Sequence, residues 1–137
     1  MTRRDPFFGT WHLDPAYSDY QFGLAPLNGT YELRAEGAGF QVSMRWTGAD
    51  GHAHHLAYSL LPDGQPHPYA GGSAVDTVVS VFVDDRRLDS TALKDGQVVN
   101  HASRVLSADG RRLTIVQSGA DGQGRPYRNL SIYVRAD

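Results

Sequence analysis

The sequence contains no cysteine. Disulfides, thiolate metal sites and a cysteine nucleophile are therefore excluded. It has little surplus charge: Lys+Arg 13 against Asp+Glu 15 leaves a formal net charge of -2. That balance removes the electrostatic case for nucleic acid or an anionic membrane surface as a partner. No apolar run approaches the roughly 18 residues that a membrane helix needs. The charged start, Met1 to Asp5, leads only to Phe7-Phe8 and then Gly9, with no apolar stretch of a secretory signal. The expected location is the cytoplasm. A Gly-x-Ser-x-Gly nucleophile motif is absent. Gly119 to Gly124 reads as a hairpin turn, not as a phosphate-binding loop opening a helix. Helical periodicity is missing too. The best helical segment is short: Asp14 as cap, Pro15 in the first turn, ending near Asp19.

Turns and alternation fill the space these absences leave. A chain of 137 residues is expected to form one domain over 1–137. Glycine pairs recur at Asn28-Gly29, Glu36-Gly37, Asp50-Gly51, Asp63-Gly64, Gly71-Gly72, Asp95-Gly96, Asp109-Gly110 and Asp121-Gly122. Asp-Gly and Asn-Gly suit tight hairpins because glycine tolerates positive φ. Between them the apolar residues alternate. Phe40, Val42, Met44 and Trp46 share one face; Leu56, Tyr58 and Leu60 share another with His54. Val75, Thr77, Val79, Val81 and Val83 are nearly all β-branched. Period two means strand. Nine or ten strands are predicted, at about 8–13, 29–36, 39–47, 52–61, 75–83, 87–94, 97–107, 111–118 and 125–135. A meander of that length manages its edges best by closing on itself. The predicted fold is all-β: a closed antiparallel up-and-down β-barrel of 8–10 strands with at most one short N-terminal helix. The Pro- and Gly-rich stretch Pro62 to Ala74 is expected to be a loop crossing the barrel mouth.

Three groups of residues can carry chemistry. His52, His54 and His55 form the densest titratable cluster, with His52 and His54 on one strand face. They bind a metal only if a third ligand such as His101, His67 or Asp50 converges. The expectation is no metal, with His54 in an interior site. His101 and Arg104 lie on opposite faces of one strand, so both cannot point inward without a bulge. A buried Arg104 needs a partner, either a ligand carboxylate or an acid such as Glu32. Trp46, Tyr58, Tyr69 and Tyr133 come from separate strands and the long loop. Apolar bodies with polar tips suit a pocket for a small organic molecule. If Tyr133 points inward, Leu130, Ile132 and Val134 form an outer apolar stripe that needs a cover, such as a second copy in a homodimer.

Several motifs, in order, resemble the calycins, the lipocalins and fatty-acid-binding proteins. Phe8-Gly9-Thr10-Trp11-His12-Leu13 is similar to their Gly-x-Trp opening strand. Small bacterial lipocalin-like proteins of unassigned function share more. Asp14-Pro15-Ala16-Tyr17-Ser18, Pro68-Tyr69, Asp76-Thr77-Val78, Ser103-Arg104, Ser107-Ala108-Asp109-Gly110, Leu113-Thr114 and Tyr133 follow in their order. The resemblance implies that Trp11 plugs the closed barrel end, with a late arginine, Arg135 or Arg128, over its ring. It also implies Arg104 and Tyr133 inward. Fatty-acid-binding proteins hold a carboxylate with two interior arginines and a tyrosine, the last two as Arg-x-Tyr on the final strand. Here that position reads Ser131-Ile132-Tyr133, which keeps the tyrosine and lacks the arginine. A smaller or less charged ligand than a long fatty acid fits that departure.

The expected function is binding of a small hydrophobic or aromatic molecule in a barrel cavity, without a cofactor. The expected ligand-binding residues are Trp46, His54, Tyr58, Tyr69, Arg104 and Tyr133. The alternative is a cofactor-free isomerase, cyclase or lyase. His54 or His101 would then act as base near neutral pH, with a tyrosine such as Tyr58 as acid.

Overall fold

The computed structural model describes residues 4–21, 25–69, 74–120 and 123–136. The predicted turns at Gly71-Gly72 and Asp121-Gly122 lie outside them. Eleven strands form one antiparallel sheet: β1 (Gly9–Leu13), β2 (Asp19–Tyr20), β3 (Asn28–Glu36), β4 (Gly39–Thr47), β5 (Ala53–Leu60), β6 (Asp63–Pro68), β7 (Thr77–Asp84), β8 (Arg87–Lys94), β9 (Gln97–Leu106), β10 (Arg112–Ala120) and β11 (Pro126–Arg135). The hydrogen-bonded order is β5-β4-β3-β1-β11-β10-β9-β8-β7-β6, with β2 paired to β11 beyond the end of β1. Among the described residues, helix is limited to two 3-10 turns, Asp5–Phe7 and Pro15–Tyr17. The Asp14 carboxylate caps the second by accepting from Ala16 N–H at 3.2 Å. Among the described residues, no helix is long and apolar enough to cross a membrane.

The sheet curls but does not close, which corrects the expected closed barrel. β5 and β6 follow one another in sequence yet end the ladder on opposite sides. Composition explains the break. β6 carries Pro66 and Pro68, so it lacks two ladder donors and can serve only as an edge. The expected Pro62 to Ala74 loop is thus strand over Asp63–Pro68. Prolines mask strand character in a sequence because they carry no N–H, and an edge strand needs donors on one side only. Two turn assignments also change. Asn28-Gly29 begins β3, opposite Thr47 and Trp46. Asp63-Gly64 lies at the bulged start of β6. At the β8–β9 hairpin, by contrast, Asp95 and Gly96 have φ of 51° and 79°. Both central residues of a tight hairpin need that left-handed geometry.

Alternation puts one face of each strand inside. The interior is filled at one end and open at the other. Phe7, Trp11, Leu33, Phe40, Val42, Leu60, Leu88, Leu106 and Leu113 form the filled end. Trp11 is wholly buried and donates its indole N–H to Phe7 O at 3.1 Å. Of the two candidate arginines, Arg135 covers it, with the guanidinium carbon 4.1 Å from the ring centroid. Arg135 also donates to the carbonyls of Pro6, Phe8 and Gly110 at 2.6, 2.7 and 2.9 Å. One cation therefore fastens the N-terminal segment, β11 and the β9–β10 turn over the plug.

Gly39 turns the chain from β3 into β4 against the backbone of β5. A methyl group there would run into the carbonyl oxygen of Leu60. Gly39→Ala should cost about 2 kcal/mol or more, as overpacking against rigid backbone does. A lower urea midpoint with an unchanged slope would show it.

The outer stripe of β11 is partly covered by the chain itself. Asp14 N–H bonds Ile132 O at 2.8 Å, and Asp19 pairs with Leu130. Leu130 and Ile132 are half-buried, while Val134 stays exposed.

Candidate functional site

Above the filled end lies a cavity of about 270 Å³. Its floor is Arg104, the third-last residue of β9, which the ladder sets opposite Leu88. Strand parity sends Asn100, Ala102, Arg104 and Leu106 inward, and His101, Ser103 and Val105 outward. Arg104 is 4% exposed. Its Nε donates to Tyr31 Oη at 2.7 Å, Nη1 to Ser90 Oγ at 3.0 Å and Nη2 to Tyr58 Oη at 2.8 Å. Tyr31 comes from β3 and Tyr58 from β5, so this one side chain ties both halves of the curled sheet together.

The electrostatics of the group are unusual. Burial disfavours the Arg104 charge, but the Tyr31 and Tyr58 oxygens, by charge attraction first and by the bonds they accept second, outweigh it and keep its pKa above the ordinary arginine value. Burial also pushes the Tyr31 phenol well above its ordinary value, so it stays a neutral hydroxyl. The cation is thus surrounded by neutral oxygens. Glu32, the acid expected as its partner, instead bonds Arg34 at 2.6 Å. A guanidinium has no acceptor, so each of these phenol oxygens accepts and its own hydrogen points elsewhere. The Tyr58 hydroxyl is consequently a polarised donor on the cavity wall.

Tyr69 and Tyr133 line the same cavity. Tyr69 meets Tyr58 edge-on with centroids 5.5 Å apart, and Tyr133 packs against Tyr31 at 5.5 Å. Burial raises both the Tyr69 and Tyr133 phenols, so neither ionises near neutrality. Trp46 lines an adjoining chamber of about 250 Å³ that shares Tyr20, Met44 and Tyr133 with the first. Sequence reasoning missed Tyr20, Tyr31 and Ser90. Tyr31 alternates with Leu33 and reads as core. Tyr20 sits in a two-residue strand whose pairing no local pattern reports. Its hydroxyl bonds Ser131 Oγ at 3.0 Å, and Gln21 N–H bonds Asn129 Oδ1 at 2.9 Å. A short strap therefore runs alongside β11, with Tyr20 on the cavity wall.

The histidines take other positions. His54 has inward parity but stands beyond the rim, exposed and stacked on Trp46 at 5.3 Å. His52 Nδ1 lies 3.3 Å from Asp50, His55 Nε2 lies 3.3 Å from Ser43 Oγ, and His67 Nε2 lies 2.9 Å from Asp63. Among the described residues, no histidine lines either cavity, and no group of three or more acidic or histidine side chains is arranged to hold a metal. The choice between His101 and Arg104 falls to Arg104. His101 faces outward, with Nδ1 3.2 Å from Thr91 Oγ1 and Nε2 3.3 Å from Asp89. An acid–base pair of His101 with a cavity tyrosine is therefore not formed.

Asp89 is the buried anchor of that outer cluster. Burial alone would raise its carboxyl, yet bonds from Arg87 and Ser103 outweigh burial and hold it below the ordinary aspartate value. A depressed folded pKa stabilises the protein above the unfolded value, and the gain vanishes as pH falls through the folded one. Asp89→Asn should therefore be less stable than wild type at pH 7, with the gap closing below about pH 4. Urea unfolding of both proteins at two pH values would test this; a constant gap would contradict it.

No family model matches the chain, and no curated protein matches its sequence. Solved structures do match its fold. A Schistosoma mansoni fatty acid binding protein in complex with arachidonic acid superposes with a TM-score of 0.62 at 12% identity. The match covers 99% of this chain and 100% of that one. A zebrafish ileal bile acid-binding protein complexed with cholic acid gives 0.60 at 12% identity, over 96% of this chain and 100% of that one. The calycin-like fold expected from the Gly-x-Trp opening is thus the fold of this chain.

Proposed function

We propose that this chain binds one small, largely apolar organic molecule inside the curled sheet, through an acceptor group placed at Arg104 and Tyr58. The observation that carries the reading is the buried Arg104 cation, bonded to three hydroxyls on the wall of a cavity. A buried charge without a counter-ion is costly. A carboxylate, enolate or strongly polarised carbonyl brought by a ligand offsets that cost. Apolar lining from Met44, Leu56, Val78 and Ile115 supplies the burial term.

The ligands in the two structural neighbours, arachidonic acid and cholic acid, support this class, since each pairs a carboxyl group with an apolar body. The ligand-binding set is Arg104, Tyr58, Tyr69 and Tyr133, with Trp46 in the adjoining chamber. His54 serves at most the rim. An acid–base catalyst would need a histidine beside a cavity tyrosine, and the described residues place none there. Binding of anilinonaphthalene sulfonate, an anionic apolar dye, tests the proposal. One dye per chain, displaced by an apolar carboxylic acid, is expected. Dye binding that such an acid does not displace would sink it.

A further inference from the structure

Resting on that reading, we infer that the ligand is amphipathic along its length rather than at one end. It is a rigid aromatic or polycyclic compound with hydrogen-bonding groups spaced along one edge. The two walls of the cavity differ. β4, β5 and β7 present Met44, Leu56 and Val78. The β9–β11 wall presents Asn100, Gln117, Asn129, Ser131 and Tyr133 around the apolar Ala102 and Ile115.

The ladder fixes how these polar groups are spaced. Tyr133 pairs with Leu113, Ser131 with Ile115, and Asn129 with Gln117. Gln117 in turn pairs with Ala102, one inward step below Asn100. Successive inward residues on a strand stand roughly 7 Å apart. Ser131 therefore stands level with Arg104, Tyr133 one inward step below, Asn129 and Gln117 one step above and Asn100 a further step toward the open mouth.

Part of this wall is occupied by the protein itself. Ser131 bonds Tyr20, and Asn129 accepts from Gln21. The Asn100 and Gln117 amides and the Tyr133 hydroxyl face the cavity without a protein partner among the described residues. Water satisfies such groups in the free protein. An acyl chain that displaced this water would leave them unpaired, at roughly tenfold in affinity per group. A ligand with ring hydroxyls or carbonyls along one edge replaces the water and lays its other face on Met44, Leu56 and Val78.

Calorimetric titration separates the classes. The probes are flavone, its trihydroxylated derivative apigenin, and palmitate. Wild type should bind apigenin at least tenfold more tightly than flavone or palmitate. In Asn100→Leu/Gln117→Leu the preference should shrink to within about threefold or reverse. Gln117→Leu alone, at an accessible position near the mouth, gives the same reading where the pair disturbs folding. Palmitate or flavone binding as tightly as apigenin, or a preference untouched by the variants, would overturn the inference. So would dye binding that depends on Arg104 while none of the three probes binds, and the carrier reading would then survive. Loss of the dye interaction as well would remove both.

Discussion

Replacing Arg104 with methionine should weaken binding of anilinonaphthalene sulfonate by about thirty- to hundredfold, or about 2–3 kcal/mol, the worth of a buried charge-assisted contact. Stability should move much less. The free protein carries Arg104 as an enclosed cation with neutral partners only. Removing the charge relieves its desolvation, while leaving the Tyr31 and Tyr58 hydroxyls without their donor costs a comparable amount. The melting temperature should therefore shift by only a few degrees. Arg104→Lys should fall between the two proteins in affinity, because one ammonium cannot reach Tyr31, Tyr58 and Ser90 from a single position as the planar fork does. Tyr58→Phe should lose about tenfold, by removing the polarised donor alone. A dye affinity unchanged in Arg104→Met would place the anchor elsewhere.

Trp11→Ala should show the opposite signature. Trp11 is wholly buried at the filled end and lines neither cavity. Truncation removes the plug, leaves Arg135 without its ring and opens a large void. The expected loss is about 3–5 kcal/mol, lowering the melting temperature by roughly 10–20 °C. At a temperature where the variant is still folded, dye affinity should stay within about twofold of wild type. Thermal unfolding by circular dichroism, with dye titration well below the transition, measures both quantities. A variant that melts normally but binds poorly would mean that the filled end and the binding end are not separate. The pair of substitutions thus splits the interior into a part that holds the fold and a part that holds the ligand.

That split was half legible beforehand. Alternation at Phe40, Val42, Met44 and Trp46 assigns one face of β4 to the interior, because side-chain direction on a strand is local geometry. Asp95-Gly96 marks a tight hairpin for the same reason. The Gly-x-Trp opening places Trp11 at the barrel end, and Trp11 is buried there. The Pro66 and Pro68 edge strand reads as loop in the sequence, since a one-sided ladder is decided by which neighbour is present. The open seam between β5 and β6 follows from that strand and could not be seen without it.

The side chains of the candidate site divide along the same line. Residue types and strand parity alone set out the choice at β9: either His101 or Arg104 faces inward, never both. Composition alone excluded cysteine chemistry. The resemblance favours Arg104, and the tertiary structure fixes it there, because the inward face of β9 is set by its neighbours β8 and β10. Only the tertiary structure brought Tyr31, Tyr58 and Ser90, separated by up to 73 residues from Arg104, onto one guanidinium. Period-two patterns record which way a side chain points from its own strand. What it meets there depends on curvature and register summed over the whole sheet, and no stretch of sequence carries that sum.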